Sequence, residues 1–208
     1  MGRWMDAMIG MAGCLGVLQW GAGVAAAAVP SFVCSKVEKN SVEAMVCADE
    51  ELASLDRDLA AVYIQAIDQV GEQQSEGLRV AQRGWIKDRD DCRKSGDKRA
   101  CVREHYIRRI AELQARYRLV PAEGPVTYSC EGPQETMIVV TYFATDPPTL
   151  IAERGDQSSL MYLQPSGSGA RYVGRNQSLW EHQGEAMITW SYDIPEMRCH
   201  KGFAGSTP

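Results

Sequence analysis

The spacing of apolar side chains divides the chain into a helical half and a strand-rich half. Over residues 41–118, apolar residues recur at steps of three and four, which places them on one face of an α-helix. One stripe consists of Leu52, Leu55, Leu59, Val62, Ala66 and Val70, and another of Val102, Tyr106, Ile110, Leu113 and Tyr117. A shorter helix is predicted over 76–90. These stripes predict a small helical bundle or a helical hairpin, in which each apolar face is buried against the others.

After residue 120 the apolar pattern changes to a period of two, which is typical of β-strands with one buried face. Eight short runs follow this pattern, and turn-forming Gly, Pro, Asp and Ser residues separate most of them. The runs cover 126–130, 136–143, 150–153, 159–163, 170–173, 178–182, 185–190 and 197–200. Short strands at this spacing predict an antiparallel sandwich or a small barrel.

The two patterns meet at the segment Leu-Val-Pro-Ala-Glu-Gly-Pro, whose prolines and glycine end the last helix. We therefore predict a helical domain over 29–120, a linker over 121–127 and a β-domain over 128–202. A flexible tail over 203–208 is expected to follow.

Residues 1–28 form a long apolar run that ends in small side chains. Signal peptidase accepts such residues, so the segment is predicted to be a secretory signal cleaved near Ala28. One alternative is an uncleaved anchor, because about 22 apolar residues reach across a bilayer. Another is a lipoprotein, because residues 11–14 resemble a partial lipobox ending in Cys14. The apolar run continues past Cys14 without a basic stop-transfer flank, which favours a periplasmic or secreted protein with no stable membrane span after cleavage.

The cysteines predict three disulfide bonds. Of the seven, Cys14 lies inside the predicted signal, which leaves an even set in an exported chain. The spacing favours two close pairs and one long pair, namely Cys34 with Cys47, Cys92 with Cys101, and Cys130 with Cys199. A metal site is disfavoured because no CxxC occurs and only three histidines are present.

Charge is distributed unevenly along the chain. Residues 29–120 carry 16 acidic and 16 basic side chains, whereas residues 121–208 carry 10 acidic and 5 basic ones, a difference of −5. This acidic half disfavours binding to nucleic acid and favours a cationic partner. Because the sequence lacks the motifs GxSxG, HExxH, P-loop and GxGxxG, we assign no catalytic residue, metal or cofactor and do not expect an enzyme.

The segment 165–172, Pro-Ser-Gly-Ser-Gly-Ala-Arg-Tyr, differs from its surroundings. Its composition is that of a flexible hairpin loop. The alternative is a projecting binding loop, because small residues let the backbone approach a partner closely, and Arg and Tyr are favoured in interfaces.

Both halves resemble known families. The run 168–172 (SGARY), followed by Trp180 and Glu185-Ala186 inside a Cys-bounded eight-strand pattern, resembles the MliC family of membrane-bound inhibitors of c-type lysozyme. That match covers about 126–200. Residues 32–118 resemble the N-terminal domain of LprI-like proteins, through Cys34, Cys47, the run 52–59, Trp85, Arg89 and Cys92. The expected fold is therefore a small disulfide-stapled helical bundle followed by an eight-stranded antiparallel β-barrel.

The MliC resemblance implies a protein that occludes the active-site cleft of c-type lysozyme. In that family a serine of the SGxxY loop bonds the catalytic carboxylates, and Ser168 is the matching residue. A family lysine two residues after the tryptophan corresponds to His182, and an ordinary histidine is mostly neutral at pH 7, so weaker inhibition at neutral pH is expected. The residues expected to contact lysozyme are Ser168, Gly169, Ala170, Arg171, Tyr172 and His182. The alternative is a non-inhibitory envelope module that docks peptidoglycan or another cell-wall protein, which the missing lysine favours.

Overall fold

The computed structural model describes residues 29–132 and 136–202, so the predicted signal over 1–28 and the predicted tail over 203–208 lie outside the described residues. Helices come first and strands second. The helices are α1 (Val42–Ala48), α2 (Glu50–Val70), α3 (Ser75–Asp90) and α4 (Lys98–Arg116). The strands are β1 (Ala122–Cys130), β2 (Thr136–Phe143), β3 (Thr149–Arg154), β4 (Gln157–Gln164), β5 (Ala170–Val173), β6 (Ser178–His182), β7 (Glu185–Thr189) and β8 (Met197–Lys201). None of the described helices is both long enough and apolar enough to cross a membrane.

Polar side chains fix where three of the helices begin. Ser41, Asp49 and Asp97 each accept a hydrogen bond from the backbone N–H three residues further on, which satisfies a donor that the first turn leaves free. The predicted apolar stripes of α2 and α4 then pack against each other. Their fully buried members are Leu52, Ala66, Val102, Tyr106 and Leu113.

A buried arginine links the helices. The Arg89 guanidinium donates to the Tyr106 hydroxyl at 2.9 Å and to the Asp90 carboxylate at 2.7 Å, and it also pairs with Glu43. The Tyr106 hydroxyl donates onward to Asp56 at 3.0 Å. The side chains of Arg89, Tyr106 and Asp56 in this buried network all have partners, which is the condition under which such a network does not destabilise the fold.

All three predicted disulfides are present. Cys34–Cys47 ties the N-terminal turn to α1, and Cys92–Cys101 joins the turn after α3 to α4. Cys130 and Cys199 lie opposite each other on β1 and β8, the pair of strands that closes the sheet.

The strands form a closed barrel in which each strand pairs antiparallel with the next and β1 pairs with β8. Closure leaves no unpaired sheet edge. The barrel interior is filled by alternate residues of successive strands, among them Ile138, Val140, Leu150, Leu179 and Ile188. The barrel implied by the family resemblance is therefore confirmed, and it decides between the sandwich and the barrel that the pattern alone allowed.

The predicted linker over 121–127 differs from the structure, because β1 already begins at Ala122. The glycine and proline that indicated a linker lie in a break of the β1–β2 register between Glu123 and Val126. Gly124 has φ +110°, and a Cβ there would lie 2.9 Å from the Val140 carbonyl oxygen. The Gly-Pro pair is thus an irregularity inside the strand. That the two halves are independent folding units stays a prediction.

Helix α4 packs on the outer surface of the barrel. Ala115 lies in one apolar cluster with Phe143 and Leu160, whose side chains face outward from their strands. The Tyr162 hydroxyl donates to the Arg108 carbonyl at 3.1 Å, and the Arg108 guanidinium lies 4.9 Å from the centre of the Tyr162 ring. Burial raises the pKa of Tyr162 to about 12. The helical half therefore covers one side of the barrel, at β3 and β4, and α2 and α4 also approach the β2–β3 loop at residues 144–146.

Candidate functional site

The loop over 165–169 joins β4 to β5 at one end of the barrel. In an up-and-down barrel alternate connections share an end, so the β6–β7 turn at 183–184 lies at this same end, which we call the loop end. Ser168 is exposed in this loop, and its hydroxyl makes no hydrogen bond with a described residue. Its carbonyl oxygen, by contrast, accepts a hydrogen bond from the Ser166 hydroxyl at 2.7 Å.

Trp180 holds the same carbonyl from the other side. Its ring nitrogen Nε1 donates to the Ser168 oxygen at 2.9 Å. The ring is 37% exposed and stacks on the His182 imidazole, with 5.6 Å between ring centres and 11° between planes. The tryptophan of the family motif therefore lies outside the barrel and fixes the backbone of Ser168.

Gly169 lets the loop pass close to β6. Its φ is +67°, a conformation that other residues rarely adopt. A Cβ at this position would lie 2.0 Å from the Glu181 carbonyl oxygen and 3.2 Å from Nδ1 of His182. Only glycine fits here, and the structure places Gly169 against His182 and next to Ser168.

The remaining predicted contact residues separate into an outer and an inner set. Arg171 is exposed, pairs with Trp180 in the β5–β6 register, and forms no ion pair with a described residue. Ala170 packs against the barrel core. Tyr172 is buried and lies edge-on to Tyr142, with 5.9 Å between ring centres. The surface offered to a partner thus consists of Ser168, Arg171 and the neighbouring rings, while Tyr172 supports it from inside.

A carboxylate that sequence reasoning missed lies beneath this loop. Glu181 points into the barrel mouth, where its oxygens accept hydrogen bonds from Tyr128 at 2.7 Å and from Tyr142 at 2.8 Å. The Lys201 ammonium lies 2.7 Å from the same carboxylate. The alternation of Leu179 and Glu181 on the inner face of β6 is the one sequence signal that could have placed Glu181 there.

The cluster keeps Glu181 ionised. Burial by itself would raise the pKa of Glu181, but the hydrogen bonds from Lys201, Tyr128 and Tyr142 outweigh it and lower the pKa below its ordinary value. Burial also raises the pKa of both tyrosines, so their hydroxyls stay protonated and donate. The positive charge of Lys201 is therefore balanced inside the barrel mouth.

Three potential metal ligands come close together elsewhere, at Cys92, Cys101 and His105, with atoms within 4.8 Å of one another. The two sulfur atoms are bonded to each other, so neither is available as a thiolate ligand. This group therefore serves the disulfide and offers no metal centre in the oxidised chain.

Comparison with known proteins gives a match for each half. Residues 128–197 match the family described as membrane-bound lysozyme-inhibitor of c-type lysozyme, and residues 34–120 match the family described as lysozyme inhibitor LprI. Lipoprotein LprI of Mycobacterium bovis and of two strains of Mycobacterium tuberculosis is 34% identical over 148 residues, which are 71% of this chain and 73% of each relative. No solved structure matches the chain. Both family resemblances predicted from the sequence are confirmed, and both families are inhibitors rather than enzymes.

Proposed function

Because this chain belongs to the LprI family of lysozyme inhibitors, we propose that its barrel inhibits c-type lysozyme by inserting the Ser168 loop into the active-site cleft. The observation that carries the proposal is the way the loop is held. Two donors, from Ser166 and Trp180, fix the Ser168 carbonyl, while the Ser168 hydroxyl stays exposed. A loop that is ordered before binding loses less conformational entropy when it docks.

The chemistry of the cleft suits these groups. A retaining glycosidase holds two carboxylates roughly 5–5.5 Å apart. The Ser168 hydroxyl donates to one of them, and a cation beside it neutralises the other through a charge-assisted bond. Two side chains at the loop end supply that cation: Arg171, which has no ion pair among the described residues, and His182 when it is protonated. Lys201 does not, because Glu181 already holds it.

The net charge of the barrel half also favours association with lysozyme. Residues 121–208 carry 10 acidic and 5 basic side chains. An excess of negative charge speeds association with a cationic enzyme more than it strengthens the final complex. The envelope is the location that family membership supports.

The substitution Ser168→Asp tests this mechanism, since a carboxylate at the loop tip would be repelled by the lysozyme carboxylates. We expect at least about a hundredfold rise in the inhibition constant, measured by lysis of bacterial cell walls. Ser158→Asp, an exposed serine of β4 near the opposite end of the barrel, is the matched control and is expected to inhibit like the parent. Unchanged inhibition by Ser168→Asp would mean that the loop does not enter the cleft, and would favour docking to the envelope instead.

His182→Lys tests the cation. Lysine is charged at both about pH 7.5 and about pH 5.5, whereas an ordinary histidine gains most of its charge between them. We expect the lysine variant to inhibit more strongly than the parent at the higher pH and about equally at the lower one. If the variant shows no gain at the higher pH, then His182 does not face the carboxylates and Arg171 is the cation.

A further inference from the structure

The opposite end of the barrel holds a cavity of about 830 Å³. We call this end of the barrel the open end. The cavity is surrounded by the β3–β4 turn, the β5–β6 turn and the segment after β7. The cavity volume lies in the range of small-molecule sites, which occur preferentially in the mouths of β-barrels. Neither the loop end nor helix α4 contributes a residue to its lining.

Two glutamine amides at this end are oriented through their oxygen atoms, and their NH2 groups make no hydrogen bond with a described residue. The indole N–H of Trp190 can only donate, so its partner at 2.6 Å must be the Gln157 oxygen Oε1. Likewise Oε1 of Gln177 accepts from the Ser159 hydroxyl at 2.9 Å and from the Asn176 backbone N–H at 3.2 Å. The oxygen of each amide is thus oriented by donors of the protein, and within the described chain the N–H donors of both amides remain for a ligand.

A cation stands beside these donors. Arg154 lines the cavity and pairs with Gln157 in the β3–β4 register. Its guanidinium forms no hydrogen bond or ion pair with a described residue, although the barrel half carries twice as many acidic as basic side chains. No carboxylate lines the cavity within the described chain. The open end is thus a concentration of donors in an acidic domain.

The surroundings limit the charge that a ligand can carry. Glu131 and Glu196 line an adjoining cavity of about 510 Å³, which shares Arg154 with the first. One guanidinium matches the two oxygens of a single carboxylate, whereas a dianion such as phosphate would face the two glutamates with one cation only. Ile194 is half-buried and supplies an apolar contact for the less polar face of a sugar ring, while Trp190 lies below it, only 3% exposed.

From this arrangement we propose that the open end binds a carboxylated sugar. Arg154 holds the carboxylate, and the amides of Gln157 and Gln177 donate to ring hydroxyl or acetamido oxygens. The site lies at the other end of the barrel from Ser168, so it does not depend on the proposed inhibition of lysozyme. One molecule of the protein can therefore bind lysozyme at the loop end and a sugar at the open end at the same time.

The test is a titration of the oxidised full chain with N-acetylmuramic acid, followed by NMR of the glutamine side-chain amides. The matched sugar without the carboxylate is N-acetylglucosamine, and acetate is the carboxylate without the sugar. We expect N-acetylmuramic acid to shift the Gln157 and Gln177 amide signals and to bind at least about tenfold more tightly than either control.

Variants assign the carboxylate contact. Arg154→Gln is expected to weaken binding of N-acetylmuramic acid at least about tenfold, and Ser158→Asp to weaken it by placing a negative charge on the cavity wall. Arg198→Gln, the same change at an exposed arginine of β8 that does not line the cavity, is expected to leave binding unchanged. Equal binding of the three probes, no binding by any of them, or an equal loss in Arg198→Gln would overturn the proposal. Lysozyme inhibition by Arg154→Gln is expected to match the parent, which separates a failure here from a failure at the loop end.

Discussion

The two halves of the molecule use their charged residues in opposite ways. In the helical half charges hold helices to one another: Arg99 bridges Asp49 and Glu51, and Arg89 joins three elements. In the barrel, apolar packing fills the interior, and charged groups concentrate at the two ends, at Glu181 with Lys201 and at Arg154. In the charge-balanced helical half, Arg89 and Arg99 are used in ion pairs between elements, whereas Arg154 and Arg171 of the acidic barrel half form no ion pair with a described residue and remain available to a partner.

The largest expected effect is the difference in stability lost when one disulfide is removed from each half. Cys130–Cys199 spans 69 residues, whereas Cys92–Cys101 spans 9. Loop-closure entropy predicts that replacing the first pair by serine costs about 4 kcal/mol in the free energy of unfolding, against about 2.5 kcal/mol for the second. Urea unfolding of the two double variants measures this, with lysozyme inhibition as a second readout.

Loss of inhibition in the barrel variant alone would support the view that the barrel is the inhibitory half. The helical variant carries Cys92→Ser and Cys101→Ser. An equal loss of inhibition in this variant, at a urea concentration where its barrel remains folded, would contradict that view.

An intermediate effect is expected at Glu181. Glu181→Gln removes the charge that Tyr128, Tyr142 and Lys201 share, at a side chain that is only 20% exposed, and should cost about 1–3 kcal/mol at pH 7. Because the folded-state pKa is lowered, the stabilisation is present above the unfolded value of about 4.3 and is lost as the pH falls through the folded pKa. Denaturant unfolding at several pH values should show the gap between parent and variant closing in acid.

Glu51→Gln in the helical half is the matched control, since its arginine partners lie on the surface. Surface ion pairs contribute little, so its loss of stability should be the smaller of the two. An equal loss of stability in the two variants would contradict the account of the barrel mouth. So would a difference in unfolding free energy between parent and Glu181→Gln that grows as the pH falls.

The smallest effect compares two tryptophans that each donate to a backbone carbonyl. Trp180→Phe removes the donor to Ser168, and Trp85→Phe removes the donor to His105. One hydrogen bond is worth about 1 kcal/mol, so Trp180→Phe should weaken inhibition about fivefold while leaving stability nearly unchanged. Trp85→Phe should lower stability and leave inhibition unchanged. If Trp180→Phe instead lowers stability and leaves inhibition unchanged, then Trp180 contributes to packing and does not position the Ser168 loop.

Local patterns predicted most of the fold. The bounds of the strands at 136–143, 170–173 and 178–182 agree with the structure, because turn residues flank runs with one buried face. Strand β1 begins inside the predicted linker, because Gly124 and Pro125 can interrupt a strand as readily as they end an element, and only pairing with the partner strand decides which. The closure of the sheet also depends on pairing between β1 and β8, which no local pattern encodes.

The site was predictable only where one motif carries it. The family resemblance named Ser168, Gly169 and His182, and the structure places Gly169 against His182, with Trp180 in contact with both Ser168 and His182. Glu181 was not predicted, and Arg154 was noted only as part of a turn and of the family resemblance, because the role of a single charged residue in a strand depends on its neighbours on other strands. Tyr162 packs on α4 through Arg108, which lies 54 positions earlier in the chain. No local pattern in either half predicts this contact.

The central claim is that the Ser168 loop enters the lysozyme cleft, and the structure of the complex with a c-type lysozyme tests it most directly. The account predicts the Ser168 hydroxyl oxygen within hydrogen-bond distance, about 2.6–3.2 Å, of a catalytic carboxylate, with the helical half turned away from the cleft. A complex in which the cleft stays open, or in which the helices fill it while the loop end faces solvent, would contradict the account.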